Sequence, residues 1–207
     1  MSRRENVATL LEKANDYLRQ NDPVLRRVII DTLPYTVYRK RSHFESLVRI
    51  IIGQQLSTRA ARTIFNRVKF TIGSRSFSTK VLSGVQDESL LNAGLSAAKL
   101  STIRRLISSI ESGRLDLRSM RWKEDKQVSK ELTQIKGIGP WSAQMYLMFV
   151  LKRLDVFPEA DTGILNAIRS LYNGNGAAIN VKSISDNWRP FRTIACWYLW
   201  RYLDTIE

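Results

Sequence analysis

Leu132-Thr133-Gln134-Ile135-Lys136-Gly137-Ile138-Gly139-Pro140-Trp141-Ser142-Ala143 reads as two helices joined by a tight hairpin. Two glycines flank one apolar residue, and both permit backbone angles that a side chain would resist. Ile138 is expected to plug the turn into the core, and Pro140 suits the first turn of the second helix. Such a turn presents amide N–H groups at a helix N-terminus. Together with the helix dipole and the nearby charge of Lys136, they suit a single phosphate. A phosphate carries no sequence information, so the contact would position a nucleic acid without reading its bases. The same residues also describe a glycine-turned helix corner with no ligand, and the turn alone does not choose between the two.

Outward from the hairpin, apolar residues recur at three- and four-residue steps, and strand-like alternation bounded by hairpin turns is nearly absent. The chain is predicted to be all-α. Candidate helices cover residues 4–19, 23–32, 43–54, 57–70, 87–93, 97–112, 127–134, 140–151, 161–171, 180–187 and 190–203. Pro23 opens its helix as Pro140 does. The Gly- and Ser-containing stretches at 71–79 and 173–177 read as ordinary loops, and the sequence shows no internal repeat or long linker.

Two further segments stand out. Ile50-Ile51-Ile52 runs into Gly53-Gln54-Gln55-Leu56-Ser57, an apolar helix ending in polar amides. Ser57 suits the N-cap of a helix whose Ala60 and Ala61 allow close packing. The junction offers Gln54, Gln55 and Leu56 on a tight turn, unless it is a plain corner with Leu56 in the core. Downstream of the hairpin, Asp155-Val156-Phe157-Pro158-Glu159-Ala160-Asp161-Thr162-Gly163 leads into another helix. Asp161 stands there either as an N-cap or as a functional carboxylate.

Composition narrows the partner. The 207 residues are 43% hydrophobic, enough for a core in one globular unit or two joined lobes. Lys and Arg number 33 against 19 Asp and Glu, a net charge of +14, so the partner is expected to be a polyanion. Arg59, Arg62, Arg67, Lys69, Lys136, Lys152 and Arg153 could extend a backbone-binding surface, and such binding is steeply salt dependent. No segment approaches the roughly 18 apolar residues of a membrane span or resembles a signal peptide, so a soluble intracellular protein is expected. Cys196 is the one cysteine and His43 the one histidine. They exclude a disulfide framework, a four-cysteine iron–sulfur cluster and any two-histidine zinc site within these residues. Cys196 reads as a small core residue, and His43 as a helix-entry residue beside Ser42.

Taken together, these segments resemble the helix-hairpin-helix DNA glycosylases, specifically the alkylbase (3-methyladenine) branch of bacteria and yeasts. The resemblance runs from Asp22-Pro23 to Trp200, through Phe44, Gly53 to Ser57, Ala60-Ala61, Leu132 to Ala143, Asp155-Val156, Asp161 and Trp188-Arg189-Pro190-Phe191-Arg192. It implies a single two-lobed helical unit over 1–207 without an iron–sulfur cluster. Lobe A covers about 36–150 with the hairpin at 128–151, lobe B about 1–35 plus 151–207, and DNA crosses the cleft.

The resemblance also implies roles. Asp161 falls at the catalytic carboxylate and Asp155 at a structural position. Trp141 stands where bifunctional members carry a Schiff-base lysine, so lyase activity is not expected. Trp141, Trp200 and Met145 fall at the base pocket, Met145 in place of an aromatic residue. Gln54, Gln55, Leu56 and Ser57 fall at the wedge that fills the gap left by a flipped nucleotide, with Ser57 where some yeast relatives have His. Lys136, Gly137, Ile138 and Gly139 form the phosphate-binding hairpin.

The activity implied by the resemblance is that of a monofunctional alkylpurine DNA glycosylase of base excision repair, acting as a monomer on duplex DNA that carries alkylated bases or abasic sites. No cofactor is expected, the question of a monovalent cation in the hairpin apart, and no membrane. In a eukaryote the address would be the nucleus. The competing expectations are a non-catalytic homologue that binds and distorts damaged or abasic DNA, and a helical scaffold that merely uses a hairpin corner.

Overall fold

The computed structural model describes residues 7–32, 35, 41–73, 77–173 and 179–206. Among them every regular element is helical: α1 Val7–Asn21, α2 Pro23–Asp31, α3 His43–Gly53, α4 Thr58–Ile72, α5 Thr79–Ser83, α6 Asp87–Asn92, α7 Ala97–Glu111, α8 Asp125–Thr133, α9 Pro140–Phe149, α10 Thr162–Tyr172, α11 Val181–Asp186 and α12 Arg192–Ile206, with a 3₁₀ turn at Ser119–Trp122. Local chemistry sets the helix starts. Asp22, Ser42, Ser57, Ser78, Ser96, Asp161 and Asn180 each accept a backbone N–H from the first turn of the helix they precede.

The all-α expectation holds, with corrections at the short elements. Periodicity missed α5 and the 3₁₀ turn, since five and four residues are too few to display a helical repeat. Of the loop expected at 71–79, residues 71, 72 and 79 are helical and 74–76 lie outside the described residues. Residues 4–6 of the first expected helix and 174–177 of the second expected loop also lie outside them. The helix expected to reach residue 151 stops at Phe149, where Val150 and Leu151 both donate their N–H to the Tyr146 carbonyl.

The chain divides into two units, residues 39–152, and residues 1–38 with 153–207. In the unit 39–152, α3 packs against α4, α7 and α9, and α8 packs against α9. Leu47, Val48, Ile51 and Ile52 of α3 are completely buried, each contributing about 1.5–3 kcal/mol of apolar burial. Ala61 meets Gly53 closely enough that a Cβ at Gly53 would lie 3.9 Å from the alanine methyl, the close α3–α4 packing that the small residues anticipated.

In the other unit, α12 packs against α10 and α2, and α1 against α2. Asp22 is its buried anchor. Oδ1 accepts the N–H groups of Val24 and Leu25, both at 2.9 Å, while Oδ2 accepts the Tyr172 hydroxyl at 2.5 Å and the Trp188 indole N–H at 2.7 Å. Asp155 pairs with Arg189 at 2.8 Å and Arg192 at 2.5 Å, and Thr193 donates to the Arg153 carbonyl while accepting Val156 N–H. These contacts pin the segment that leads to Asp161.

Candidate functional site

The hairpin between α8 and α9 is built on two short-range bonds, Ile135 N–H to the Leu132 carbonyl at 3.1 Å and Ile138 N–H to the Ile135 carbonyl at 2.9 Å. Ile138 is buried, 3% exposed, as the plug expected of it. The two glycines differ. Gly137 has φ +102°, and a Cβ there would lie 1.9 Å from Thr102 Oγ1 of α7, so both conformation and space require glycine. Gly139 has φ −92° and ψ 179°, extended backbone open to any residue, and a Cβ there would meet no atom within 4 Å. Of the two glycines that permit side-chain-averse angles, Gly137 alone adopts one. Gly139 instead has no side chain to cap the N-terminus of α9, and the uncapped N–H groups of a first helical turn suit an anion.

Lys136 is exposed beside this turn. Sequence reasoning missed Arg105 of α7, whose guanidinium donates to the Lys136 carbonyl at 3.5 Å and adds a second cation. Arg59, Arg62, Arg67, Lys69 and Lys152 are exposed, and Arg153 is half-buried.

The turn after α3 lies in the same unit. Leu56 N–H donates to the Gly53 carbonyl at 3.2 Å, and Gln55 takes the left-handed region at φ +54°, which non-glycine residues adopt at a cost of about 1–3 kcal/mol. Gln55 and Ser57 are exposed and Leu56 is 38% exposed, so Leu56 is not a core residue. Ser57 Oγ caps α4 by accepting Ala60 N–H at 3.3 Å. Gln54 departs from its expected place in the wedge. Its side-chain amide points inward, donating to the Gly137 carbonyl at 2.9 Å and to Ser142 Oγ at 2.8 Å. Its amide is thus committed to the hairpin and to α9.

Trp141 is half-buried at the start of α9 and Met145 is 5% exposed one turn later. Deeper in this unit, His43 Nδ1 lies 2.6 Å from the hydroxyl of the buried Tyr146. The helix-entry position expected of His43 holds, but this partnership was not foreseen.

In the unit 1–38 with 153–207, Asp161 caps α10, and it does more. Its Oδ1 accepts Ile164 N–H at 2.9 Å and the Trp200 indole N–H at 3.0 Å. The residue is 8% exposed. Gly163 makes room for this arrangement, because a Cβ there would lie 3.2 Å from Asp161 Oδ1 and 3.3 Å from the Trp200 ring. Beneath them Cys196 is fully buried, as expected of a core residue. Burial, seconded by the Asp161 carboxylate, pushes its thiol well above the ordinary range, so it is not a nucleophile at neutral pH. Among the described residues, no three His, Cys, Asp or Glu side chains gather as a metal site, and no helix is long and apolar enough to cross a membrane.

No protein-family profile matches the chain. It is 32% identical over 205 residues to DNA-3-methyladenine glycosylase 1 of Schizosaccharomyces pombe, covering 96% of this chain and 90% of that one. Its structure is similar to the crystal structure of a DNA-3-methyladenine glycosidase from Bacillus halodurans, with a TM-score of 0.74 and 37% identity over 92% of this chain and 88% of that one. It is also similar to a Schizosaccharomyces pombe 3-methyladenine DNA glycosylase in complex with abasic DNA, with a TM-score of 0.79 and 30% identity over 93% of this chain and 97% of that one.

Proposed function

The chain belongs to the alkylbase branch of the helix-hairpin-helix DNA glycosylases, and on that premise we propose that it hydrolyses the N-glycosidic bond of alkylated purines in duplex DNA, using Asp161 as its one catalytic carboxylate. The observation that carries this assignment is the fixed geometry of that side chain, which Ile164 N–H and the Trp200 indole hold on one oxygen. A purine alkylated at N3 or N7 is already cationic and departs with the glycosidic electron pair as a neutral base, so no general acid is required. The C1′–N bond breaks, positive charge develops on the sugar, and the oxygen of water bonds to C1′ while its proton passes to solvent. A carboxylate stabilises that charge and orients the water.

The products are a free base and an intact abasic site. No lyase step is proposed, because Trp141 stands where bifunctional members carry lysine. The aromatic faces of Trp141 and of Trp200 each suit a cationic base, at about 0.5–2 kcal/mol for a base over such a face, and the resemblance gives Met145 a base-facing role as well. The hairpin at Lys136, Gly137, Ile138 and Gly139 takes a phosphate, and Gln55 and Leu56 enter the duplex.

No cofactor enters the reaction. The protein works as a monomer wherever the genome is kept, the nucleus in a eukaryote.

One observation favours the alternative, a homologue that binds and distorts abasic DNA without cleaving. Ser57, which stands where some yeast relatives have His, spends an acceptor position of its Oγ on capping α4. Incubation with methylated duplex DNA and measurement of released base decides between them, with Asp161→Asn as the reference. Release at least a hundredfold above Asp161→Asn is expected from loss of a transition-state charge contact. Release equal to that variant, with abasic-site binding intact, favours the non-catalytic homologue.

A further inference from the structure

Two turns of the unit 39–152 are assigned to DNA, the hairpin and the turn carrying Gln55 and Leu56. The chain joins them through the side chains of Lys99 and Gln54. Lys99 of α7 donates Nζ to the Ile52 carbonyl at 2.7 Å and to the Gln54 carbonyl at 3.0 Å. Those carbonyls belong to the end of α3, where the helix leaves acceptors unpaired and its dipole favours a cation. The lysine therefore caps α3 just before Gln55 enters the left-handed region at φ +54°, a conformation that persists only where its surroundings enforce it.

From the same residue, the Gln54 side chain continues to the Gly137 carbonyl and Ser142 Oγ. Thr102, three residues after Lys99 and on the same face of α7, fills the space against Gly137 that a Cβ would need. One helix face thus backs both turns, and a ladder of side-chain bonds ties one to the other.

Resting on the proposed DNA-binding function, we propose that Lys99 and Gln54 form a positioning latch that holds Leu56 in fixed register with the phosphate seated in the hairpin. Neither is a catalytic residue. Their work is done before DNA arrives. With the latch closed, inserting Leu56 costs no ordering of the turn; with it open, the turn must be ordered at the moment of insertion. The latch therefore affects binding to DNA that has a gap to fill, and leaves the sequence-independent grip on intact duplex unchanged.

The test uses the full chain with intact duplex, abasic duplex, and abasic duplex carrying 2-aminopurine opposite the gap, whose fluorescence reports unstacking. Wild-type protein is expected to prefer abasic over intact duplex and to raise the fluorescence. Lys99→Met is expected to bind intact duplex within about twofold of wild type, to lose about tenfold of the abasic preference, and to lose most of the fluorescence rise. Lys99→Arg, which keeps the cation, is expected to restore most of both.

Placed on Leu56→Ala, the Lys99→Met change is expected to add less than about a twofold loss, because it acts through Leu56. Gln54→Leu cuts the tie to the hairpin alone and carries the same expectation should Lys99→Met not fold. Folded Lys99→Met or Gln54→Leu with wild-type preference and fluorescence overturns the latch alone. So do losses that multiply in the double variant. Wild-type protein that binds neither duplex overturns the DNA-binding function and the latch together, whereas wild-type protein that binds both without any abasic preference overturns the latch and leaves DNA binding standing.

Discussion

Trp200 donates its indole N–H to Oδ1 of Asp161 at 3.0 Å across 39 residues of chain, and the same oxygen accepts Ile164 N–H. An N-cap needs only the second of these bonds. The first fixes the carboxylate against an aromatic side chain that holds one acceptor position constantly filled. Trp200→Phe keeps the ring face and deletes the donor. A hydrogen bond to a charged group contributes about 1.5–3 kcal/mol, so base release is expected to fall about tenfold to a hundredfold while abasic-duplex affinity stays close to wild type. Single-turnover release of methylated base, beside a binding titration, checks it. Unchanged release would sink the role assigned to the indole donor.

The two hairpin glycines should respond differently to alanine. At Gly137 the substitution must overcome φ +102° and a Cβ placed 1.9 Å from Thr102 Oγ1, and it is expected to destabilise the fold by about 2 kcal/mol or more. At Gly139 the backbone is extended and the space open, so stability is expected to stay within about 0.5 kcal/mol. Urea unfolding of the two variants makes the comparison, and equal losses would show that the turn is not held as described.

Asp22 accepts four hydrogen bonds on two oxygens. Burial, then the adjoining carboxylate, keeps the Tyr172 hydroxyl protonated far above the usual tyrosine range, so tyrosine stays a donor at every working pH. Asp22→Asn replaces one acceptor oxygen with an NH2 donor group and is expected to cost about 3 kcal/mol, through buried donors left unpaired. Equilibrium unfolding in urea reads this directly. A loss under about 1 kcal/mol would mean that the network relaxes around the change.

His43 gives stability a pH dependence of known sign. Burial lowers its pKa below the ordinary 6.5, the Leu117 backbone hydrogen bond opposes this, and Arg121 adds to it. The unfolded chain therefore takes up the proton first as pH falls. The contribution is level above about pH 6.5 and is lost as pH drops from there through the lowered folded-state value. His43→Gln is expected to show a flatter Tm between about pH 7.5 and pH 5.5 than wild type. Parallel Tm profiles for the two proteins would contradict it.

Lys136 is exposed beside the uncapped N-terminus of α9. If it neutralises one phosphate, Lys136→Ala should weaken binding to all duplexes alike and reduce the slope of log K against log salt by about 1. Titrations at several salt concentrations measure the slope, and an unchanged slope with weaker binding would remove Lys136 from the phosphate contact.

Much of this protein was legible along the chain because the relevant physics acts over a few residues. Caps at Ser57 and Asp161 and the prolines of α2 and α9 act on backbone groups within one turn of themselves, and the all-helical class and the buried plug Ile138 follow from the spacing of apolar residues along the chain. Helical periodicity did not register α5 or the 3₁₀ turn, which are shorter than the repeat. What only the tertiary structure decided is chemically ordinary in sequence. A tryptophan 39 residues from Asp161 becomes its hydrogen-bond donor, a threonine on α7 makes Gly137 obligatory while Gly139 is not, and Gln54 turns away from the exposed tip to hold the hairpin. Lys99 likewise gains its two carbonyl partners only when α7 packs beside α3. A hydrogen bond depends on distance and direction, and residues far apart in the chain acquire both only when packing brings their helices together.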